Sequence, residues 1–495
     1  MNLRCVQDLY DAAGTRALEH YAVAQLGIAG LTLMERAGAA VFDELRTRWP
    51  AARVITIVCG AGNNGGDGYV VSRLAAAAGL QPRVVMLNDE ARLRGDGASA
   101  YRAMRAAGIV PTDSAAWFEG AELVVDAVLG TGLERTVEGV YAEAIARIND
   151  CGLPIMSVDV PSGINASTGV CHGTAVRATA TLSLVSMKQG LVTGDAPAYT
   201  GALQWHDIGL PAAVYAEVSA TAQAIAHAQL GPLFGSRPRT AHKGHHGHVL
   251  VIGGAPGFGG AARLAAEAAV RVGAGLVSLA THPSHAASLT NERPEIMCHG
   301  VAGAADLAPL LARATVVAIG PGLGMSPWAQ KLWAAVRDCA QAQVVDADGL
   351  NLLAADPDHR AARVLTPHPG EAARLSGLST QVIHQDRYAA ATALCRRFGG
   401  VVLLKGAGTI VANENELPVV VRDGNPGMAS GGMGDVLTGV IAGLLAQGMA
   451  LRLAAAAGAC VHAHAADCAA RGGERGLLAG DLMPFLRAAV NPLPL

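Results

Sequence analysis

The chain has 495 residues with 61 glycines and a formal net charge of −3, a composition typical of a globular α/β enzyme with two or three domains. The balanced charge and the lack of a long Lys/Arg block argue against a nucleic-acid partner. Nine scattered cysteines without a C-x-x-C pair argue against a disulfide framework, and no segment resembles a signal peptide or a membrane span, so a cytoplasmic protein is expected.

The first half of the chain alternates short β-branched runs with alanine-rich helical stretches. Buried strands are predicted at RVITIVCG, PRVVML, ELVVDAVLG and LPIMSVDVPSG, and a helix at YVVSRLAAAAGL. Continuous apolar strands separated by helices are typical of a parallel sheet that is covered on both faces. The sequence therefore predicts an α/β domain of this kind.

A glycine-rich segment, residues 60–68, follows the first of these strands and leads into the helix. Its glycines satisfy the G-x-G-x-x-G pattern of dinucleotide-binding domains, and Asp89 lies about where a ribose-binding acid is expected. Asp67 argues against a bound pyrophosphate, because its negative charge would stand at the helix start that otherwise holds the phosphates. A dehydrogenase-type domain stays an alternative.

Oxygen-bearing side chains lie at three predicted strand ends, namely Asn64, Asp126, and Asp159 with Ser162. Loops at the carboxyl ends of parallel strands converge on one crevice. Amide, carboxylate and hydroxyl oxygens suit a hard cation such as potassium, sodium or magnesium. The alternative is that Asp126 and Asp159 are caps or turn residues that follow strands.

Four motifs, GNNGGDG, DAVLGTGL, VDVPSG and MKQGL, occur in this order in residues 5–215, which closely resemble the N-terminal domain of the NAD(P)H-hydrate epimerases. The resemblance implies a Rossmann-like three-layer sandwich. Its expected activity is the interconversion of the R and S hydrates of NADH and NADPH (NADHX and NADPHX) at C6 of the nicotinamide ring. The residues implied to bind the hydrate are Asn63, Asn64, Gly65, Gly66, Asp67, Gly130, Thr131, Gly132, Leu133, Glu134, Arg135, Thr136, Tyr141 and Asp159.

The same resemblance implies catalytic and metal-binding roles. Asp159 would be the acid/base, with Lys188 as a helper, although a lysine before a glycine turn is also typical of a solvated surface charge. Asn64, Asp126 and Ser162 would be the ligands of a potassium ion.

A domain boundary is predicted near residues 215–240, where LGPLFGSRPRTAHKGHHG has the proline, glycine and polar character of a linker. The predicted domains are residues 1–220 and 230–495. After the boundary the α/β pattern restarts, with strands at HVLVIGG, GLVSLAT, TVVAIGPG, QVVDADG, RVLTPHPG and VVLLKGAG and a helix at AARLAAEAAVRVG. Its motifs differ from those of the first half, so the two halves are not a tandem duplication.

A run of small residues, 425–435 (NPGMASGGMGD), opens into the apolar helix pattern VLTGVIAGLLAQG. Backbone N–H groups in such a loop, with the helix dipole behind them, build an anion site that favours phosphate. Asp435 could take a proton from a hydroxyl that attacks this phosphate, or it could simply cap the helix. The segment Lys405 to Thr409 (KGAGT) could clasp a nucleotide's phosphates or form a hairpin turn. The sequence contains no P-loop and no protein-kinase motif.

From about residue 235 to its end the chain resembles the ADP/ATP-dependent NAD(P)H-hydrate dehydratases, which have a ribokinase-like α/β fold. The motifs that carry the resemblance are HKGHHGHVLVIGG, VRVGAGLV, NERPEIM, GPGLG, VVDADGLN, LTPHPGE, LLKGAGT and NPGMASGGMGD. It implies that ADP or ATP, with Mg²⁺ bridging its phosphates, phosphorylates the C6 hydroxyl before phosphate is expelled. Contacts to the hydrate are implied for Ala262, Gly322, His368 and Asp435, and contacts to the nucleotide for Lys405, Gly406, Ala407, Gly408, Thr409 and Gly434.

The sequence thus predicts a repair enzyme with an epimerase domain and a dehydratase domain, acting on small molecules and expected to form a homo-oligomer. The alternative is a ribokinase-type small-molecule kinase fused to a Rossmann-like ligand-binding module. The histidines of AHKGHHGH are not expected to bind a metal, because no cysteine or acidic partner lies near them.

Overall fold

The computed structural model describes residues 6–112, 117–289, 291 and 293–491. Glu292 of the NERPEIM motif therefore lies outside the described residues. The chain forms two compact units: residues 8–222, the N-terminal unit, and residues 223–495 together with residues 1–7, the C-terminal unit. Within the described ranges, no helix has the length and apolar character needed to cross a membrane.

The N-terminal unit is built around a six-stranded parallel sheet in the order β3-β2-β4-β5-β6-β7. The strand order reverses between β2 and β4, and such a switch point opens a crevice at the carboxyl ends of the strands. Up to residue 217 the elements are β1 (Gln7–Leu9), α1 (Ala12–Ala24), α2 (Gly30–Arg48), β2 (Val54–Cys59), α3 (Asn63–Ala77), β3 (Gln81–Met86), α4 (Gly95–Ala106), β4 (Leu123–Ala127), α5 (Val140–Asp150), β5 (Ile155–Val158), β6 (Ala180–Leu184), β7 (Ala202–His206) and α6 (Ala212–Glu217).

Alternate side chains of these strands enter two different cores. Ile57 and Val125 pack into the apolar cluster formed with α1 to α4, whereas Val58 and Val124 pack into the cluster formed with α5. This period of two is what a parallel sheet between two helical layers requires. The predicted three-layer α/β arrangement is confirmed.

The GNNGGDG segment forms the start of a helix and not an extended glycine loop. Helix α3 begins at Asn63, so only residues 60–62 form the turn after β2. A Cβ placed at Gly65 would collide with the carbonyl oxygen of Gly60, and a Cβ at Gly68 would lie 2.7 Å from Cys59 Sγ. Glycine is used here because the helix begins almost in contact with the strand that precedes it.

The C-terminal unit is built around a second sheet, in which β8 to β17 lie in the order β8-β17-β16-β15-β14-β13-β12-β9-β10-β11. Strands β9 to β15 are mutually parallel where they pair, and β16 is antiparallel to both of its neighbours. The strands predicted from sequence in this half are confirmed. The elements are β8 (Ala222–Ile225), β9 (His248–Ile252), α7 (Gly259–Arg271), β10 (Leu276–Thr281), β11 (Met297–Gly300), α8 (Ala304–Leu311), β12 (Val316–Ile319), α9 (Pro327–Val336), β13 (Ala342–Val345), α10 (Ala347–Ala355), β14 (Arg363–Leu365), α11 (Pro369–Ser376), α12 (Thr380–Gln385), α13 (Arg387–Phe398), β15 (Val401–Leu404), β16 (Thr409–Ala412), β17 (Val419–Val421), α14 (Met433–Ala446), α15 (Leu451–Ala469) and α16 (Met483–Ala489).

Helices α7 and α14 pack side by side in the same direction. A Cβ at Gly439 would collide with the backbone of Ala265, and one turn later a Cβ at Gly443 would lie 2.8 Å from the carbonyl oxygen of Ala269. Small residues at the crossing let the two backbones touch. Because the helices are parallel, both N-termini point towards the carboxyl ends of the strands, where their dipoles favour an anion.

Candidate active sites

The N-terminal unit has a cavity of about 1160 Å³ at the carboxyl ends of its strands. Its walls come from α1, α2, the start of α3 and the loops after β4 and β5. Most of the residues predicted to bind the hydrate line it, namely Asn63, Asn64, Asp67, Gly130, Thr131, Gly132, Leu133, Glu134, Arg135, Tyr141 and Asp159. Within the described part of the chain, the cavity wall lacks the other residues predicted for this site, namely Gly65, Gly66, Thr136, Lys188, Asp126 and Ser162.

Asp159 lies on this wall in a left-handed backbone conformation, with φ +66°. It follows β5, and one carboxylate oxygen accepts hydrogen bonds from the Lys188 ammonium and, at 3.0 Å, from the Leu184 amide. The Lys188 ammonium also donates to the Leu184 carbonyl. The lysine side chain is 1 % exposed, so the alternative of a solvated surface charge is wrong.

Two further carboxyl groups, of Glu19 and Asp67, lie near the Asp159–Lys188 pair. Burial and then the negative charge of Asp159 raise the pKa of Glu19, and Lys188 opposes the shift. Burial, followed by the charges of Asp159 and Glu19, raises the pKa of Asp67 well above its ordinary value. The sequence analysis missed Glu19, which lies on α1 outside every motif; only its place on the helical face that turns to the sheet could have indicated it.

Behind the wall, Asp126 lies inside β4 and is fully buried. Its carboxylate accepts hydrogen bonds from the hydroxyl of Ser157 at 2.8 Å, from the amide and hydroxyl of Ser162 at 2.9 and 2.5 Å, and from the Val128 amide at 3.3 Å. Burial raises the pKa of Asp126, and these hydrogen bonds oppose the shift. Asp126 is therefore not a cap or a turn residue that follows the strand, which was the alternative prediction.

Asn64 differs from these residues in its hydrogen bonding. Its side-chain oxygen and nitrogen are buried without a hydrogen-bond partner in the described part of the chain. Gly130 lies directly against it, since a Cβ there would be 3.4 Å from Asn64 Cβ. The amide of Leu129, the residue before Gly130, donates a hydrogen bond to the Ser162 hydroxyl at 2.8 Å. The fold thus brings the start of α3, the end of β4 and the loop after β5, which carry the three predicted metal ligands, close together.

Asp89, the acid that favoured a dehydrogenase domain, lies elsewhere. It is exposed and accepts a hydrogen bond from the Ala91 amide at 3.0 Å, which caps a short 3-10 turn. The cavity walls described above do not contain it. The geometry therefore does not support a ribose-binding role for Asp89.

In the C-terminal unit, Lys405 follows β15 and reaches across the carboxyl ends of the sheet. Its ammonium donates to Asp346 at 2.7 Å and lies 3.7 Å from Glu371. Asp346 also accepts from the Thr438 hydroxyl at 2.9 Å, on the first turns of α14. Burial by itself would raise the pKa of Asp346, but Lys405 and these hydrogen bonds outweigh it and hold the pKa below its ordinary value. Asp346 was not singled out from the sequence, although its place directly after β13 is a signal for a site residue.

Asp435 lies in the first turn of α14, and Gly432, without a side-chain cap, is the N-cap residue. The alternative that Asp435 caps this helix is therefore wrong. Burial raises the pKa of Asp435 to about 7, with the negative charges of Asp346, Asp348 and Glu371 adding to the shift and Lys405 opposing it. A carboxyl group with this pKa can accept and release a proton near neutral pH. Gly434 lies beneath the lysine, since a Cβ there would be 3.2 Å from Lys405 Nζ.

The segment 405–408 is the turn of a β-hairpin, because β15 and β16 on either side of it pair antiparallel. The alternative of a hairpin turn is thus correct, and it is compatible with phosphate binding. The buried guanidinium of Arg387 holds the turn from below, donating to the carbonyls of Leu404 and Lys405 at 3.3 Å and of Gly408 at 3.5 Å. Arg387 is a second residue that the sequence did not indicate.

The remaining predicted contacts lie on neighbouring loops at the same edge of the sheet. His368 is the N-cap residue of α11, where its ring nitrogen accepts from the Gly370 amide at 3.0 Å and its own amide donates to Glu371 at 2.8 Å. Ala262 lies in the first turn of α7. Gly322 has φ +57°, and a Cβ there would lie 2.9 Å from Phe258 Cβ, so the loops after β9 and β12 close on each other at this glycine.

Comparison with known proteins places both units in known families. The family model described as NAD(P)H-hydrate dehydratase matches residues 249–486, and the model of the YjeF-related protein N-terminus matches residues 30–190. Among solved structures, a protein of Streptococcus mutans is 32% identical and superposes with a TM-score of 0.51 over 54% of this chain and 98% of its own. A ribokinase-like superfamily protein of Enterococcus faecalis is 28% identical, with a TM-score of 0.50 over 54% of this chain and 94% of its own. The predicted ribokinase-like fold is confirmed.

The curated relatives match along almost the whole chain. The bifunctional NAD(P)H-hydrate repair enzyme of Coxiella burnetii is 49% identical over 487 residues, which are 98% of this chain and 99% of that protein. The enzyme of the same name from Escherichia coli is 43% identical over 96% of this chain and 92% of that protein. With both family models, both site geometries and full-length relatives in agreement, this chain belongs to the family of bifunctional NAD(P)H-hydrate repair enzymes.

Proposed function

We propose that this chain repairs hydrated nicotinamide cofactors in two steps. Residues 1–220 interconvert the R and S epimers of NADHX and NADPHX at C6, and residues 230–495 dehydrate the S epimer with consumption of ADP or ATP. The observation that carries the proposal is that each of the two units holds its own carboxylate-centred site, in a chain that matches repair enzymes over nearly its full length.

In the epimerase site Asp159 is the acid/base. Its carboxylate faces a cavity, and the buried Lys188 ammonium donates a hydrogen bond that fixes its orientation. A carboxylate placed in this way can take the proton of the C6 hydroxyl while the C6–N1 bond opens to an aldehyde and its electron pair goes to the ring nitrogen. It can return the proton to the oxygen when the nitrogen closes on the opposite face of the carbonyl, which inverts C6. The cavity-lining residues predicted to bind the hydrate surround the ring on which Asp159 acts. Gly65 and Gly66 support them from within α3.

A potassium ion fits the residues behind this cavity. The side-chain oxygen of Asn64 is buried and has no hydrogen-bond partner among the described residues, which is costly unless something binds it. Asp126 is a buried carboxylate whose hydrogen-bond donors, Ser157, Ser162 and Val128, carry no positive charge. We propose that Asn64, Asp126 and Ser162 hold the ion, since one formal charge with neutral oxygens suits a large monovalent cation better than Mg²⁺. Potassium would supply a positive charge next to the Asp126 carboxylate.

In the dehydratase site Asp435 is the base. It removes the proton of the C6 hydroxyl, whose oxygen attacks the terminal phosphoryl group of ADP or ATP, forming the C6–O–P linkage and releasing the shortened nucleotide. The ring nitrogen then donates its electron pair as the C6–O bond breaks and phosphate leaves. Loss of a proton from C5 restores the double bond of the reduced nicotinamide. Ala262, Gly322 and His368 would contact the hydrate.

The nucleotide would be held by the hairpin turn and the start of α14, that is by Lys405, Gly406, Ala407, Gly408, Thr409 and Gly434. The Lys405 charge and the α14 dipole favour its phosphates. In the described part of the chain, no group of three or more His, Cys, Asp or Glu side chains is arranged to hold a metal ion. Magnesium fits here as an ion bound mainly by the phosphates of the nucleotide, where it would neutralise their charge.

The test is to incubate the purified protein with mixed epimers of NADPHX and either ADP or ATP and to follow the absorbance of the reduced nicotinamide. We expect full recovery of NADPH from both epimers, with phosphate released in equal amount. A phosphorylated product that accumulates without NADPH would instead support the ribokinase-type small-molecule kinase. Homo-oligomer formation and a cytoplasmic location stay predictions.

A further inference from the structure

Three large apolar side chains are exposed around the dehydratase site. Phe258 is 62 % exposed, Met325 46 % and Leu478 63 %. Phe258 lies on the loop between β9 and α7, Met325 on the loop between β12 and α9, and Leu478 on the turn that follows α15. We refer to Phe258, Met325 and Leu478 as the apolar rim.

The apolar rim is attached to the residues proposed to bind the hydrate. The loop of Phe258 is tied to the loop of Met325 by two backbone hydrogen bonds, from the Ala255 amide to the Gly322 carbonyl at 2.7 Å and from the Gly254 amide to the Pro321 carbonyl at 3.0 Å. Gly322 lies directly beneath Phe258.

Leu478 is tied to the other side of the site. The carbonyl of Leu477 accepts a hydrogen bond from the Ser430 hydroxyl at 3.0 Å, within the small-residue loop that leads to Asp435. A Cβ at Gly432 would lie 3.0 Å from Ala479 Cβ, so the turn of Leu478 touches the start of α14. The turn of Leu478 therefore lies against the loop that leads to Asp435.

Backbone contacts place Phe258 in its exposed position. Its amide donates to the Ala255 carbonyl at 2.8 Å, which closes a turn, and the φ of +57° at Gly322 allows the two loops to approach closely. A hydrogen-bonded turn that presents a phenyl ring to solvent at the carboxyl edge of a parallel sheet is a suitable surface for a flat ligand.

We propose that the apolar rim binds the nicotinamide-derived ring of the hydrate, with Phe258 against its face and Met325 and Leu478 at its edges. This rests on the proposed dehydratase function. The bound ring would be placed next to Asp435. The rim thus determines the affinity for the hydrate and plays no part in binding the nucleotide.

The test compares Phe258→Ala, Phe258→Tyr and Leu378→Ala in the full-length protein. Leu378 is 51 % exposed in the same unit and follows α11, so it controls for loss of an exposed apolar side chain. We expect Phe258→Ala to raise KM for the S hydrate about 10-fold with kcat changed less than about 3-fold, because stacking and burial of one ring are lost. Phe258→Tyr and Leu378→Ala should keep the wild-type KM, and KM for ADP should be unchanged in all three.

A shortened substrate, the hydrate of reduced nicotinamide mononucleotide, separates the two rings of the dinucleotide. If Phe258 binds the nicotinamide-derived ring, Phe258→Ala should raise KM for this substrate by the same factor. A KM effect that disappears with the shortened substrate would assign Phe258 to the adenine and overturn the proposal. An active wild-type enzyme with an unchanged KM in Phe258→Ala would also overturn it, whereas a wild-type protein that restores no NADPH would instead refute the proposed function.

Discussion

Lys405 donates a hydrogen bond to Asp346 at 2.7 Å and thereby lies over Gly434, one residue before Asp435. The contact joins the hairpin after β15 to the strand end of β13 and the start of α14. The Lys405 ammonium lies where phosphate is expected. The Asp346 carboxylate lies close enough to Asp435 to raise its pKa. The electrostatic behaviour of the dehydratase site follows from this pair.

The first prediction is a pH dependence. The proposed base, Asp435, can accept a proton only when it is ionised, and burial together with the charges of Asp346, Asp348 and Glu371 raises its pKa to about 7. We expect kcat/KM for the S hydrate to fall about tenfold per pH unit as the pH drops below that value. Asp346→Asn removes one of the charges that raise the pKa, so the acid limb of the profile should move to lower pH. Asp338→Asn, on an exposed side chain of the same unit, is the control.

The second prediction concerns Asp435 itself. Asp435→Asn keeps the size of the side chain and removes no helix cap, because Gly432 is the N-cap residue. We expect an unchanged melting temperature, retained nucleotide binding by calorimetry, and a loss of dehydration on the order of 100-fold or more. Near-normal turnover would show that another group is the base.

The third prediction is that the two activities separate. Asparagine tolerates the left-handed conformation that Asp159 adopts, so Asp159→Asn should fold where alanine would be strained. It should slow the initial consumption of the R hydrate on the order of 100-fold and leave dehydration of the S hydrate unchanged. R consumption at the wild-type rate would contradict the assignment.

The fourth prediction concerns the stability of the buried pair. Lys188→Met leaves the Asp159 carboxylate without its cation, and we expect the free energy of unfolding of the N-terminal unit to fall by about 3 kcal/mol. Combining Lys188→Met with Asp159→Asn should cost less than the sum of the two single changes, since neither charge is then left unpaired. Urea unfolding of the four proteins gives the coupling; strictly additive effects would mean that the pair does not interact.

The fifth prediction concerns the packing of α7 against α14. Gly439→Ala places a methyl group on the carbonyl oxygen of Ala265 and should lower the free energy of unfolding by about 3 kcal/mol or more. Gly260→Ala is the matched control, because a Cβ at this helical glycine has no neighbour within 4 Å. We expect the control to unfold at the wild-type urea concentration or above it. Equal effects of the two substitutions would show that the helices have room to move apart.

Local features of the sequence were enough to predict the order of strands and helices in both units. An apolar run such as VITIVCG or HVLVIGG can be buried as a strand whatever its partners are. The predicted Asp159 and Lys405 directly follow such strands, and the predicted Asp435 lies in the first turn of α14. The GNNGGDG segment shows the limit of this reasoning. Glycine disfavours a helix in isolation, yet Gly65 lies in α3 because only a residue without a side chain fits against Gly60.

The sequence by itself determined the fold class, the positions of the candidate acids at strand ends and at the start of a helix and, through its motifs, the family. Only the tertiary structure decided which charges meet. Lys188 reaches Asp159 from 29 residues away, Lys405 reaches Asp346 from 59 residues away, and Glu19 joins the epimerase cavity from a helix without any motif. The physical reason is that strand and helix periodicity is a local property of the chain, whereas burial and the pairing of charges depend on contacts between segments far apart in sequence.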